Sequence, residues 1–101
     1  NDASDNDRAG SYPTPTYLDG RRATTWLEVG ASTPNEQRLA ARFSNYGQRT
    51  VDLFAPGSEI YSTLPGGTYG RESGTSMAAP VVSGVAALLM AYFPTLTAAD
   101  V

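Results

Sequence analysis

The sequence predicts an α/β chain, and three observations carry that prediction. Residues 81–93 form an almost unbroken apolar run, interrupted by Ser83, Gly84 and Tyr92, with the length of a helix rather than a strand. Upstream, β-branched and aromatic residues gather in short segments at 24–29, 51–57, 59–64 and 68–73. Pro-Gly and Gly-Gly pairs punctuate those segments, at Pro56-Gly57 and at Pro65-Gly66-Gly67.

The helix is expected to be buried. Val81, Val85, Leu88 and Tyr92 lie on one face and Val82, Leu89 and Phe93 on another, and a helix apolar nearly all round belongs in a core. About thirteen residues fall short of the roughly twenty that cross a bilayer, so no membrane span is expected. Gly84 costs about 1 kcal/mol relative to alanine in mid-helix, which points to close approach of another backbone. Pro80 fits the first turn, where its missing N–H does little harm.

Composition narrows the function. The chain has 101 residues, enough for one small domain or part of a larger one, and 41% of them are hydrophobic. A net charge of −3, with arginine as the sole basic residue type, offers no basic patch for nucleic acid. The absence of cysteine removes disulfides and cysteine-based metal sites. No signal peptide is visible, and the chain opens on Asn1. Histidine is also absent, so no imidazole in these residues can act as a base.

In chain order, residues 1–15 are rich in Asp, Asn, Ser, Gly and Pro and are expected to form a solvated surface loop. Asp2, Asp5 and Asp7 lack the spacing of a cation-binding loop. Residues 24–29 are expected to form a strand closed by Gly30, with Trp26 as a core or interface side chain, and 32–41 a connection. Residues 51–57 predict a strand turned by Pro56-Gly57, in which Asp52 is either a calcium ligand or, the favoured reading, a structural carboxylate. Segments 59–64 and 68–73 predict a hairpin, with Ile60, Ser62 and Leu64 on one face and Tyr61 and Thr63 on the other. Pro94 stops the helix, and Thr97-Ala98-Ala99-Asp100 has the spacing of a capping box.

Immediately before the helix stands Gly74-Thr75-Ser76-Met77-Ala78-Ala79-Pro80. A serine at a helix N-terminus sits beside unpaired N–H groups and a partial positive charge, a place suited to stabilising an oxyanion. A cap role would explain Ser76 but not the six residues around it. A given seven-residue string arises by chance at roughly one position in a billion. This stretch resembles the nucleophile segment of the subtilisin-like serine peptidases, the subtilases. Residues 42–47, Arg-Phe-Ser-Asn-Tyr-Gly, and 51–57, Val-Asp-Leu-Phe-Ala-Pro-Gly, resemble further signatures of that family in the same order. The chain departs from the usual pattern at Val81, where histidine is common, and at Ser73, where asparagine is common.

The resemblance implies the C-terminal portion of a three-layer fold, with a mostly parallel sheet, a short antiparallel ribbon and a buried nucleophile helix. Residues 1–101 would be a fragment of the catalytic domain, incomplete at both ends. It further implies hydrolysis of a polypeptide substrate through an acyl-enzyme on Ser76, with Gly74 and Thr75 supporting the motif. The oxyanion would be held by the Ser76 N–H and the Asn1 side chain, Asn1-Asp2 standing before a variable loop and Tyr12-Pro13 as in the family. The catalytic Asp and His would lie upstream, so the isolated chain is expected to be inactive. The alternative is a catalytically dead homologue acting as a binding or assembly module. The resemblance implies no cofactor for the chemistry, allows structural calcium, and points to a secreted or cell-envelope protein. Either the missing upstream part of the domain or a second copy is expected to cover the apolar helix and the open sheet edge.

Overall fold

The computed structural model describes residues 3–8 and 12–101, so Asn1 and Asp2 lie outside the described residues. In order, the elements are strands β1 (Val29–Ser32), β2 (Leu53–Pro56), β3 (Ile60–Leu64) and β4 (Thr68–Glu72) and helix α1 (Thr75–Tyr92). β1 and β2 pair in parallel, with Val29 opposite Leu53 and Ser32 opposite Pro56. β3 and β4 form an antiparallel hairpin, with Ile60 opposite Glu72 and Leu64 opposite Thr68. The α/β class holds, and among the described strands one pair is parallel and the other antiparallel rather than the sheet being mostly parallel.

The strand expected at 24–29 begins instead at Val29 and continues to Ser32. Its partner decides this. β2 starts at Leu53, and one residue earlier the pairing already passes from backbone to side chain. Asp52 N–H donates to the Glu28 carbonyl at 2.9 Å, while the Asp52 carboxylate accepts the Glu28 N–H at 2.8 Å. Asp52 thus has the structural role favoured from sequence. The other edge of β1 is covered by the connection that follows it. Thr33 N–H donates to the Leu39 carbonyl at 2.7 Å and Ala41 N–H to the Ala31 carbonyl at 2.9 Å. Buried Ser44 completes that edge, accepting the Ala31 N–H at 2.9 Å and donating to the Asn45 carbonyl at 2.9 Å.

The hairpin follows the sequence closely. Gly66 and Gly67 take φ of 85° and 71°, values that glycine adopts without a Cβ clash, and so turn the chain between β3 and β4. Ile60 and Leu64 are half-buried and Tyr61 and Thr63 exposed, in line with the alternation, although Ser62 is exposed too. Tyr61 stacks on Tyr69 with ring centroids 6.0 Å apart, and Arg71 lies over Tyr61.

Helix α1 differs from expectation in three respects. It begins five residues before Pro80, so Pro80 is inside the helix and not in its first turn. That placement removes the donor for the Ser76 carbonyl, and an interior proline ordinarily costs about 3 kcal/mol. Its eighteen residues are also long and apolar enough, by length and composition alone, to cross a membrane. Finally, it is not buried. Ala78 alone among its residues is buried, whereas Val85, Leu88 and Tyr92 are more than half exposed. The reason is geometric: one short strand pair, β1 and β2, packs against one face of a helix that is apolar on several. Gly84 has nothing within 4 Å of where a Cβ would stand, so no backbone approaches it.

What α1 does bury is small and close. Ala31, Ala41, Ala55 and Ala78 form the core, with Val29, Phe43 and Val82 packed around them. Alanines bring backbones together and lose no rotamer freedom on burial. The closest approach is at Gly57. Its N–H donates to the Ser32 carbonyl at 3.1 Å, and its carbonyl accepts the Gly74 N–H at 2.8 Å. A Cβ on Gly57 would stand 2.6 Å from the Ala31 Cβ and 2.7 Å from the Gly74 carbonyl oxygen. Because one of those obstacles is backbone, no rotamer change relieves it. Gly57→Ala is expected to lower the unfolding free energy by roughly 1–3 kcal/mol, the usual range for overpacking. Urea unfolding followed through Trp26 fluorescence checks this, and an unchanged midpoint would contradict it.

Candidate active site at the start of α1

Gly74 is the N-cap of α1, and Thr75 and Ser76 are its first two residues. With φ of 164° and ψ of 163°, Gly74 is extended, and no side chain caps the helix. Its carbonyl accepts the Met77 N–H at 3.1 Å. Ser76 is exposed, and among the described residues no hydrogen bond engages its backbone N–H or its hydroxyl. The first turn carries no acidic residue, so the positive end of the helix dipole is left uncompensated there. An exposed hydroxyl, an available N–H and a local positive potential together suit an atom that gains negative charge.

Ser76 opens onto a cavity of about 400 Å³, lined among others by Thr75, Tyr12, Trp26, Glu28 and Asn45. Sequence reasoning thus places Gly74, Thr75 and Ser76 together at one point, and the structure puts a cavity beside them. Trp26, expected in a core or interface, stands on that cavity wall and is partly exposed. Asn1 lies outside the described residues. Among the described residues no group of three or more Asp, Glu, His or Cys is arranged to hold a metal ion.

Residues 3–8 form the surface loop expected from their composition, but one tied down by long-range hydrogen bonds. Ala3 N–H donates to the Phe43 carbonyl at 3.1 Å, Tyr46 N–H to the Ser4 carbonyl at 3.0 Å, and Asn6 N–H to the Tyr46 carbonyl at 2.7 Å. Asn6 accepts from the Asn45 amide at 3.1 Å and donates its own amide to Glu28. Asp7 closes the run. Its carboxylate accepts the Gln48 N–H at 2.9 Å, the Arg49 N–H at 3.0 Å and the Thr50 hydroxyl at 3.0 Å. These partners lie 41 to 43 residues away in sequence, beyond the reach of any local pattern.

Burial pushes the Asp7 carboxyl up, but the bonds from Arg49, Thr50 and Gln48, with the Arg49 charge, outweigh it and hold the group below the ordinary aspartate value of 3.8. A depressed folded value means that the clamp contributes stability above the unfolded pKa and loses it as pH falls through the folded one. An NMR titration of the Asp7 carboxyl is expected to give a midpoint below 3.8, with the Arg49 amide shift following it. A midpoint at or above that value would contradict the clamp.

Comparisons with known proteins show the family. The family model described as the subtilase family matches residues 1–101. Subtilisin NAT of Bacillus subtilis subsp. natto is 52% identical over 75 residues, which cover 74% of this chain and 19% of that protein. Subtilisin-like protease 1 of Arthroderma otae is 57% identical over 67 residues, 66% of this chain and 13% of that protein. Among solved structures, a cold adapted subtilisin-like serine proteinase superposes with a TM-score of 0.69 at 44% identity, covering 76% of this chain and 27% of that one. The chain thus matches about a fifth to a quarter of the length of these bacterial relatives. By the match along its whole length and by its likeness to these proteins, the chain belongs to the subtilase family.

Proposed function

We propose that residues 1–101 are the C-terminal part of the catalytic domain of a subtilisin-like serine endopeptidase, with Ser76 as its nucleophile. The observation that carries this reading is the Gly74-Thr75-Ser76 turn at the start of α1, which presents an exposed hydroxyl and an available N–H to a cavity. The Ser76 hydroxyl attacks the carbonyl carbon of a peptide bond. A histidine base takes its proton and returns it to the leaving amine, giving an acyl-enzyme that water then hydrolyses. The histidine and the aspartate that orients it come from a part of the parent protein outside these residues, since the chain contains no histidine. The Ser76 N–H and the Asn1 side chain hold the tetrahedral oxyanion. In the subtilisin case, loss of such an asparagine donor raises the barrier by about 2.7–4 kcal/mol.

The same reading accounts for α1. Further layers of the parent domain cover its open faces, so that an eighteen-residue apolar helix serves as a core element and not a membrane span. The substrate is a polypeptide, the chemistry requires no cofactor, and the parent acts in a secreted or cell-envelope setting, as the family resemblance suggests.

In the parent protein, Ser76→Ala is expected to lower kcat on the order of a millionfold, as removal of the serine does in subtilisin. It is also expected to abolish labelling by a fluorophosphonate. Turnover kept within tenfold of the unmodified protein would overturn the assignment of Ser76, and a parent inert before mutation would favour a binding module. Residues 1–101 alone are expected to remain unlabelled for want of a base. Rapid stoichiometric labelling of that fragment, lost on Ser76→Ala, would contradict the division of labour.

A further inference from the structure

Among the described residues, the cavity beside Ser76 has one charged side chain in its wall, and that charge is negative. Glu28 is half-buried and lines the cavity together with Tyr12 and Trp26. Its backbone is fixed at both polar groups: the N–H donates to the Asp52 carboxylate at 2.8 Å, and the carbonyl accepts the Asp52 N–H at 2.9 Å. The Asn6 amide donates to Glu28 Oε1. Among the described residues nothing donates to Oε2, and no arginine pairs with the carboxylate. A carboxylate partly withdrawn from water without a counter-charge is costly, so this one is set up to receive a cation.

Two regions of the cavity wall therefore differ in sign. At Ser76 the start of α1 presents the positive end of the helix dipole, with no acidic residue in the first turn to offset it. At Glu28 the charge is negative, and the aromatic faces of Tyr12 and Trp26 suit a cation or the aliphatic stem that carries one. At about 400 Å³ the cavity is near the lower end of the range for ligand pockets, about 300–1,000 Å³, which is room for a side chain and not for a folded segment. We propose that Glu28 is a specificity-determining residue of the peptidase, selecting arginine or lysine at the substrate residue whose carbonyl carbon Ser76 attacks. The carbonyl sits at the positive start of α1, and the guanidinium or ammonium donates to Oε2. This rests on the reading of Ser76 as the nucleophile, and it names the substrate that the same site prefers.

The test compares kcat/KM in the full-length parent for peptides that differ only at that residue: arginine, lysine or norleucine, the last matching the lysine stem without its charge. The basic peptides are expected to exceed the norleucine peptide by roughly tenfold or more, the worth of a hydrogen bond between charged groups. Glu28→Gln keeps the acceptor for Asn6 and the size of the side chain, and it is expected to lower the basic-to-norleucine ratio by roughly tenfold. Glu28→Asp, which keeps the charge on a shorter stem, is expected to fall between, with unfolding midpoints recorded for each. A parent that cleaves the norleucine peptide as well as the arginine peptide overturns the proposal and leaves Ser76 its role. So does a Glu28→Gln change that lowers all three peptides alike, since a merely structural carboxylate would do that. Cleavage of none of the three also overturns it, and labelling of Ser76 by a fluorophosphonate then tells a failed specificity from a failed peptidase reading.

Discussion

The peptide unit of Gly57 ties the two halves of this structure together. Its N–H reaches back to the end of β1 and its carbonyl receives the N–H of Gly74, the residue from which α1 starts. Ala31 and the Gly74 carbonyl leave no room for a side chain between them. The position of Ser76 relative to the parallel pair follows from that contact, because only Thr75 separates it from Gly74. Hydrogen bonds are directional and small residues allow the bonded groups to meet, so the junction specifies both distance and angle.

The rest of the core serves the same end by staying small. Four alanines between β1, β2, the 39–44 connection and α1 bury little area, and large side chains there would push the helix away from the sheet. Apart from Met77 and Val82, the larger apolar residues of α1 are exposed. A helix with that distribution has only its first two turns accounted for by the described residues. Its interior proline fits the same picture: the lost bond lies at the Ser76 carbonyl, next to the one part of α1 that is held by the sheet.

The fold and site differ in how far they could be read from sequence, and the difference is one of range. Gly74-Thr75-Ser76, the Pro65-Gly66-Gly67 hairpin and the existence of α1 rest on neighbours within a few residues, and these were legible. The start of β1 was not, because it depends on where β2 and Asp52 stand, 24 residues away. Asp7 looked like one more solvated carboxylate, since nothing local distinguishes it from Asp5. Burial of α1 was overestimated for a related reason. An apolar face records what a helix can bury, while the described strands offer enough surface for one face only. Gly57 was read as a turn residue beside Pro56, and its tighter constraint appears only once Gly74 is brought back against it.

Native-state hydrogen exchange measures that junction directly. Local protection reports the free energy needed to open each hydrogen bond, and regions that open most easily exchange first. If the Gly57 contact holds the start of α1 to the parallel pair, the amides of Gly57, Gly74 and Ala31 exchange together and more slowly than those of the β3–β4 hairpin, whose outer face is solvated. Gly57 and Gly74 amides exchanging as fast as the hairpin, or independently of Ala31, would contradict the account.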